Sequence, residues 1–417
     1  MPNNNDKKDA VSQLLSTYRV AIIYDKVNTP YGGAEWVLQA LHSLFPEAPL
    51  FTSLHSQKNA PWAKSFTIIP SFLNILPFLQ NKHQLLAPTM PLAFESLDVQ
   101  KYDVLISVTS GEAKGILTKP DQLHICYLLT PPRYLYDFSK EYLATKPLLQ
   151  LPILNLLVIH LLHYVRWWDS AAMWRPDKII TISKLVTKRL KQYYGRTADS
   201  VIYPPLPKMV ASPTLLLANS FPFHLVLSRL VPYKKIDLAI AAMLSLNETL
   251  IIAGDGEAKK SLVKQAGTRA CVRTKNQSLH TFLETIQTDT SKNIYFVGRV
   301  TNSERQWLLS HATTLLMPGK EDFGITALEA VAAGAIPIIH KDSGVAEILE
   351  HGVTALHTDS QTIMNLVTAI TESKSITIDT KSKNEIITAF SMSAFKAQMQ
   401  NLIYDSIIQM KLTQKSK

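Results

Sequence analysis

Thr314-Leu-Leu-Met-Pro-Gly-Lys-Glu321-Asp-Phe-Gly324-Ile-Thr-Ala-Leu-Glu329-Ala330 changes its periodicity partway along. Thr314–Met317 is a short apolar run of the kind buried on both faces of a sheet. Pro318 and Gly319 turn the chain, and a helical apolar period resumes at Ile325. Strand, turn and helix in that order make one βα unit, with the helix starting near Gly324. The first N–H groups of such a helix have no intrahelical partner, and the macrodipole adds about half a positive charge there. A diphosphate suits that helix mouth.

The same alternation extends in both directions. Leu225–Leu227, Leu250–Ala253, Ile294–Val297 and Ile336–Ile339 are further apolar runs, each followed by a helical stretch. Upstream, Tyr203-Pro-Pro-Leu-Pro207, Ser212-Pro213 and Phe221-Pro-Phe223 form a proline-rich break that reads as a linker. Before the break the alternation recurs at Arg19–Tyr24, Ala48–Thr52, Val104–Val108, His124–Leu129 and Lys178–Ile182. Strands alternating with helices predict an α/β chain of two Rossmann-like domains with parallel sheets. The expected division is 1–205, 206–390 and a C-terminal helix over 391–417 that packs back towards the N-terminal domain.

Composition narrows the function classes. With 46% apolar and 18% charged residues, a chain of 417 residues buries sizeable cores in two or three domains. Two cysteines, Cys126 and Cys271, exclude a disulfide framework and suit a reducing compartment. The polar N-terminus shows no secretory h-region, so a cytoplasmic setting is expected. The formal charge of +10 is spread along the chain without a basic, aromatic-interleaved stripe, which argues against a nucleic-acid partner. A mean hydropathy of +0.04 hints at contact with something apolar. Two apolar stretches, 68–79 and 148–162, stand out. The second is too short and too interrupted to span a bilayer, which leaves a buried core helix or one lying on the membrane surface.

Positive charge for the helix mouth is available in Leu225-Val-Leu-Ser-Arg229-Leu-Val-Pro-Tyr-Lys234, a strand running into a loop. An arginine can clamp phosphate oxygens bidentately, and a lysine offers a mobile point charge. Glu321 and Glu329 are odd neighbours for a phosphate unless both accept hydrogen bonds from hydroxyls. A capping acid and a solvated helix glutamate are the plainer alternative.

These residues carry a resemblance. Glu321…Glu329, the Arg229…Lys234 pair and Gly254-Asp-Gly256 resemble the C-terminal half of family four retaining glycosyltransferases of GT-B fold. Gly32-Gly33-Ala-Glu35 resembles their N-terminal glycine loop. Pro91–Glu95 with Tyr102-Asp103, Thr130–Asp137 and Arg166–Asp169 resemble a bacterial subgroup of surface-polysaccharide mannosyltransferases.

The resemblance implies two domains facing each other across a cleft, and transfer of a hexose from a nucleotide-diphosphate sugar with retention. GDP-mannose is the first donor implied, with a glycan as acceptor, and the apolar stretches 68–79 and 148–162 suggest a lipid-linked one. It places Glu321 on the donor sugar, Glu329 on the ribose, and Arg229 and Lys234 on the diphosphate. Gly33 approaches that diphosphate from the other domain. Backbone N–H groups of Phe323, Gly324, Ile325 and Thr326 meet the sugar and diphosphate, while Arg299 and Val300 seat the base. Glu321, Arg229 and Lys234 are the catalytic candidates.

Glu112, Arg133, Tyr134, Asp137 and Asp169 are the acceptor candidates. Local ion pairs, Arg133 with Asp137 or Arg166 with Asp169, are their structural alternative. No D-x-D pair is placed for a metal, so no cofactor is expected and metal independence is predicted. Peripheral contact with the cytoplasmic membrane face is the expected setting.

One departure stands out. The subgroup reads Tyr-Cys-His-Thr-Pro where this chain has Tyr127-Leu-Leu129-Thr-Pro131, so Leu129 replaces the family histidine. His124 faces the other side of that strand. A nucleotide-sugar epimerase of the same architecture and a non-enzymatic nucleotide- or glycan-binding module remain open readings.

Overall fold

The computed structural model describes residues 11, 13–29, 32–75, 83–137, 152–207 and 221–415. Tyr31, residues 76–79 and 148–151 of the apolar stretches, and the Ser212-Pro213 part of the linker lie outside them. The chain divides into two compact units, Met1–Pro205 with Met392–Lys417, and Leu206–Ser391.

The first unit holds seven parallel strands: β1 Val20–Tyr24, β2 Leu50–Thr52, β3 Ile68–Pro70, β4 Val104–Thr109, β5 Leu123–Leu128, β6 Lys178–Thr181 and β7 Ser200–Val201. They are ordered β3-β2-β1-β4-β5-β6-β7. The chain therefore builds outward from β1 on one side and restarts at β4 on the other. β1 pairs with β4 in register from Val20 opposite Val104 to Tyr24 opposite Val108. Every residue of β1, β4 and β5 is buried, which is why these strands read as largely apolar runs. The apolar stretch beginning at residue 68 opens with the half-buried strand β3 and continues as a 3₁₀ turn, Phe72–Ile75.

Helix Gly33–Leu44 follows β1, helix Pro152–Ala172 lies between β5 and β6, and helix Lys184–Tyr194 follows β6. The last helix, Met392–Lys415, belongs to this unit. Its buried Phe395, Met399, Ile403 and Ile407 repeat every fourth residue, and Phe395 stacks edge-on against Tyr127 of β5.

The second unit repeats the plan with β8 His224–Leu227, β9 Leu250–Ala253, β10 Ala270–Val272, β11 Ile294–Gly298, β12 Thr314–Met317, β13 Ile336–His340 and β14 Leu356–Thr358. Their order is β10-β11-β9-β8-β12-β13-β14, all parallel. Successive residues of β9 feed opposite cores. Leu250 and Ile252 pack with Val226, Ile240 and Ile338, while Ile251 and Ala253 pack with Leu225, Phe282 and Trp307. β8 and β12 are neighbours although 86 residues lie between Leu227 and Thr314 in sequence, with Thr314 opposite His224 and Leu315 opposite Leu225.

Candidate functional site

Because β8 and β12 are adjacent, the loops leaving their carboxyl ends meet at the point where strand order reverses. Open α/β sheets bind ligands in the crevice at such points. The β8 loop carries Arg229 and Lys234, and the β12 loop carries Glu321. Here Lys234 Nζ and Glu321 Oε1 form an ion pair between mostly buried side chains.

Glycine makes that contact possible. A Cβ on Gly319 would lie 2.6 Å from Tyr233 O and 2.7 Å from Lys234 Cα, so the two loops touch backbone to backbone. The β12 loop is also clamped from the far side. Glu321 N–H donates to Ser343 Oγ at 3.2 Å, Gly344 N–H to Glu321 O at 2.9 Å, and Val345 N–H to Phe323 O at 2.7 Å. Phe323 is buried beneath the loop. Gly324, at φ +102°, caps helix Ile325–Ala333, so the helix starts where its apolar period begins. Ile325 and Thr326 form its first turn, with their N–H groups directed out of the helix mouth.

Glu329 lies in the second turn of this helix and is buried. Its carboxylate pairs with Arg305, from helix Asn302–His311. Burial pushes the Glu329 carboxyl up, and the Arg305 guanidinium opposes that shift. Arg305 stands 24 positions before Glu329 and belongs to no motif in the sequence. Thr301 and Glu304 form a reciprocal capping box that sets the phase of its helix, but nothing local links it to Glu329.

The remaining donor candidates are divided between the two units. Arg229 Nη2 donates to Tyr233 OH at 3.1 Å on the exposed side of the β8 loop. Arg299 follows β11, with Nε 3.9 Å from Asp255 Oδ2, and half-buried Val300 packs against the core beneath. Gly33 opens helix Gly33–Leu44 in the first unit.

Of the acceptor candidates, Glu112 sits at the corresponding reversal point of the first sheet, between β1 and β4, while Arg133, Tyr134 and Asp137 follow β5 and Asp169 lies on helix Pro152–Ala172. Asp25, after β1, accepts from Thr109 Oγ1 at 2.6 Å, Ser110 N–H at 2.7 Å and Ala113 N–H at 2.9 Å. Glu112, in the β4 loop, accepts from Tyr134 OH at 2.9 Å. Burial, then the charge of Asp25, pushes the Glu112 carboxyl up to about 7, with Lys114 opposing.

Asp169 is buried and pairs with Lys114, while accepting from Tyr194 OH at 2.7 Å and Tyr136 OH at 2.9 Å. Asp137 pairs with Arg189 at 3.4 Å and accepts from Tyr193 OH. Asp137 and Asp169 thus pair with Arg189 and Lys114, cations distant in sequence. Arg133 follows β5 in the same loop as Tyr134. His124 turns into the core, its Nε2 2.8 Å from Ser107 Oγ, and burial pushes it down to about 3. Leu129 leaves β5 with its N–H on Thr109 O at 2.8 Å.

Residues 274–389 match the family model of glycosyl transferases group 1, a stretch that includes Glu321, Glu329 and Arg305. The uncharacterized glycosyltransferase MJ1607 of Methanocaldococcus jannaschii is 26% identical over 220 residues, 48% of this chain and 49% of that protein. The match therefore spans about half the length of that relative. Among solved structures, HepE of Anabaena in complex with UDP and glucose is similar at a TM-score of 0.63 and 17% identity, over 93% of this chain and 99% of its own. Sucrose-phosphate synthase from Thermosynechococcus elongatus gives a TM-score of 0.64 at 15% identity, over 93% and 98%. This chain has the GT-B fold, and residues 274–389 of its second unit match the glycosyl transferases group 1 model.

Proposed function

We propose that the protein is a retaining glycosyltransferase that moves a hexose from a nucleotide-diphosphate sugar to a glycan or lipid-linked glycan. The observation that carries this reading is the Lys234–Glu321 pair at the β8/β12 reversal point, beside the mouth of helix Ile325–Ala333. Lys234 and Arg229 neutralise charge that develops on the departing diphosphate, together with the helix N–H groups. Glu321 holds hydroxyls of the transferred sugar, and Glu329, fixed by Arg305, holds those of the ribose. The two carboxylates bind and orient; neither is assigned as a nucleophile.

GDP-mannose remains the first donor to test, in surface-polysaccharide synthesis at the cytoplasmic membrane face. HepE was solved with UDP and glucose, which makes UDP-glucose the second. Glu112 and Tyr134 are the foremost acceptor contacts, since Glu112 is the half-buried carboxyl at the reversal point of the first sheet.

The deciding experiment incubates purified protein with UDP-, GDP- and ADP-sugars, with and without a lipid-linked acceptor, and reads the product anomer. Acceptor-dependent transfer with retention supports the proposal. Conversion of the donor sugar without acceptor favours the epimerase reading, and binding without turnover favours a non-enzymatic module.

A further inference from the structure

Helix Pro152–Ala172 has its amphipathicity reversed on one side. Leu156, His160, His163, Tyr164, Trp167 and Ala171 recur at helical spacing and are all exposed, and Trp174 continues the row just past the helix end. Trp167 is 69% exposed, Trp174 64% and Leu156 59%. The opposite side holds the helix to its unit. Val165, Trp168, Asp169 and Ala172 are buried, Trp168 Nε1 donates to Glu95 Oε1 at 2.7 Å, and Asp169 pairs with Lys114. Neighbouring tryptophans thus have opposite fates: Trp168 is core, and Trp167 projects outward. An exposed row of large apolar side chains marks a binding surface.

Charge selects the occupant. Residues 152–196 contain eight Lys and Arg against two Asp. Neither acid belongs to the row, because Asp169 is buried and Asp177 accepts the His124 N–H at 2.8 Å. Helix Lys184–Tyr194 exposes Lys184, Lys188 and Lys191, spaced to share one of its faces. Just past its Gly195 cap, the Arg196 guanidinium lies over the Trp174 ring at 5.2 Å, joining the end of the basic helix to the aromatic row. Tryptophan and tyrosine beside lysine and arginine are the side chains that settle at a membrane–water boundary. Two copies meeting on this face would bring their lysines together, whereas an anionic surface neutralises them. Among the described residues no helix is long and apolar enough to cross a membrane, so this one would lie in the plane of the surface.

We propose that the exposed face of helix Pro152–Ala172, continued by Trp174, docks on the headgroup layer of an anionic bilayer. The proposal deepens the lipid-linked acceptor reading above, which supplies its setting, but its measurement is independent of transfer.

Co-sedimentation with phosphatidylcholine vesicles, with and without about one third phosphatidylglycerol, tests it at low salt. Wild-type protein should partition to the anionic vesicles about tenfold more strongly, and W167S/W174S should lose most of that binding with an unchanged thermal melt. Equal partitioning of variant and wild type, or no binding by wild type, overturns the proposal. A concentration-dependent dimer dissolved by W167S/W174S also overturns it, in favour of self-association. Transfer to a water-soluble acceptor should be unaffected by the double variant. Vesicle binding by a protein with no transfer activity would defeat the glycosyltransferase reading and leave the docking surface standing.

Discussion

Lys234 and Glu321, 87 positions apart in sequence, are ion-paired with both side chains mostly withdrawn from solvent. Glu321→Ala leaves the lysine without its partner and removes the proposed ligand for sugar hydroxyls. Transfer should fall by about 10²–10³ in kcat/KM, the scale of losing one preorganised electrostatic contact. Initial rates across donor concentrations check this, and a near-wild-type rate would overturn the assignment.

Arg305→Met should destabilise the second unit by about 3–5 kcal/mol, because it strands a buried carboxyl without its cation. Burial already raises the Glu329 carboxyl, and removing Arg305 raises it further. A carboxyl raised in the folded state contributes stability below its unfolded value and loses it as pH rises through the folded value. The variant's deficit should therefore be larger at pH 8 than at pH 5. Adding Glu329→Gln should recover part of it. Urea unfolding at the two pH values gives the comparison.

Glu112 follows the same sign. Its carboxyl rises from 4.5 to about 7, so its contribution is present below about 4.5 and disappears as pH climbs through about 7. Asp25, Asp169 and Tyr134 face it along with Lys114. Glu112→Gln should flatten the decline in stability between pH 5 and 8, by an amount on the order of 1–3 kcal/mol. Thermal melts across that range are the measurement, and parallel profiles for variant and wild type would refute the shift.

Gly319→Ala puts a methyl group into the backbone of the β8 loop, where the neighbours are Tyr233 O and Lys234 Cα and cannot rotate away. The loops must separate, at a cost of about 1–3 kcal/mol in stability. Donor KM should rise severalfold as Lys234 shifts, while binding of the protein to vesicles stays constant.

Turnover should persist after chelation, since Arg229, Lys234 and the helix mouth supply the positive charge proposed for the diphosphate. Dialysis against EDTA followed by a rate measurement tests this. A collapse rescued only by Mg²⁺ or Mn²⁺ would sink metal independence.

The inner strands were legible because burial on both faces gives near-continuous apolar runs; β4, β5, β9 and β12 lie where those runs are. β3, β7, β10 and β14 are the edge strands of the two sheets, two or three residues long and only partly buried, so they leave no apolar run to read. The start of helix Ile325–Ala333 was legible too, since Gly324 and the returning apolar period coincide. Ion pairing was not. Arg133 with Asp137 and Arg166 with Asp169 are natural expectations at short spacing, yet the fold pairs the acids with Arg189 and Lys114. Those choices depend on which loops the strand order brings together. Arg305 opposite Glu329 and Ser343 beneath Glu321 follow the same rule.

Met392–Lys415 packs its buried face in the first unit, after the chain has run through all of Leu206–Ser391. During synthesis the second unit is therefore finished while the first still lacks the helix that covers Tyr127. The unit whose strands are translated earlier completes its core later, and until then an apolar patch beside β5 awaits a segment not yet made. Ribosomal pausing within residues 206–391 would lengthen that exposure, so the order of translation and the order of assembly run in opposite directions in this chain.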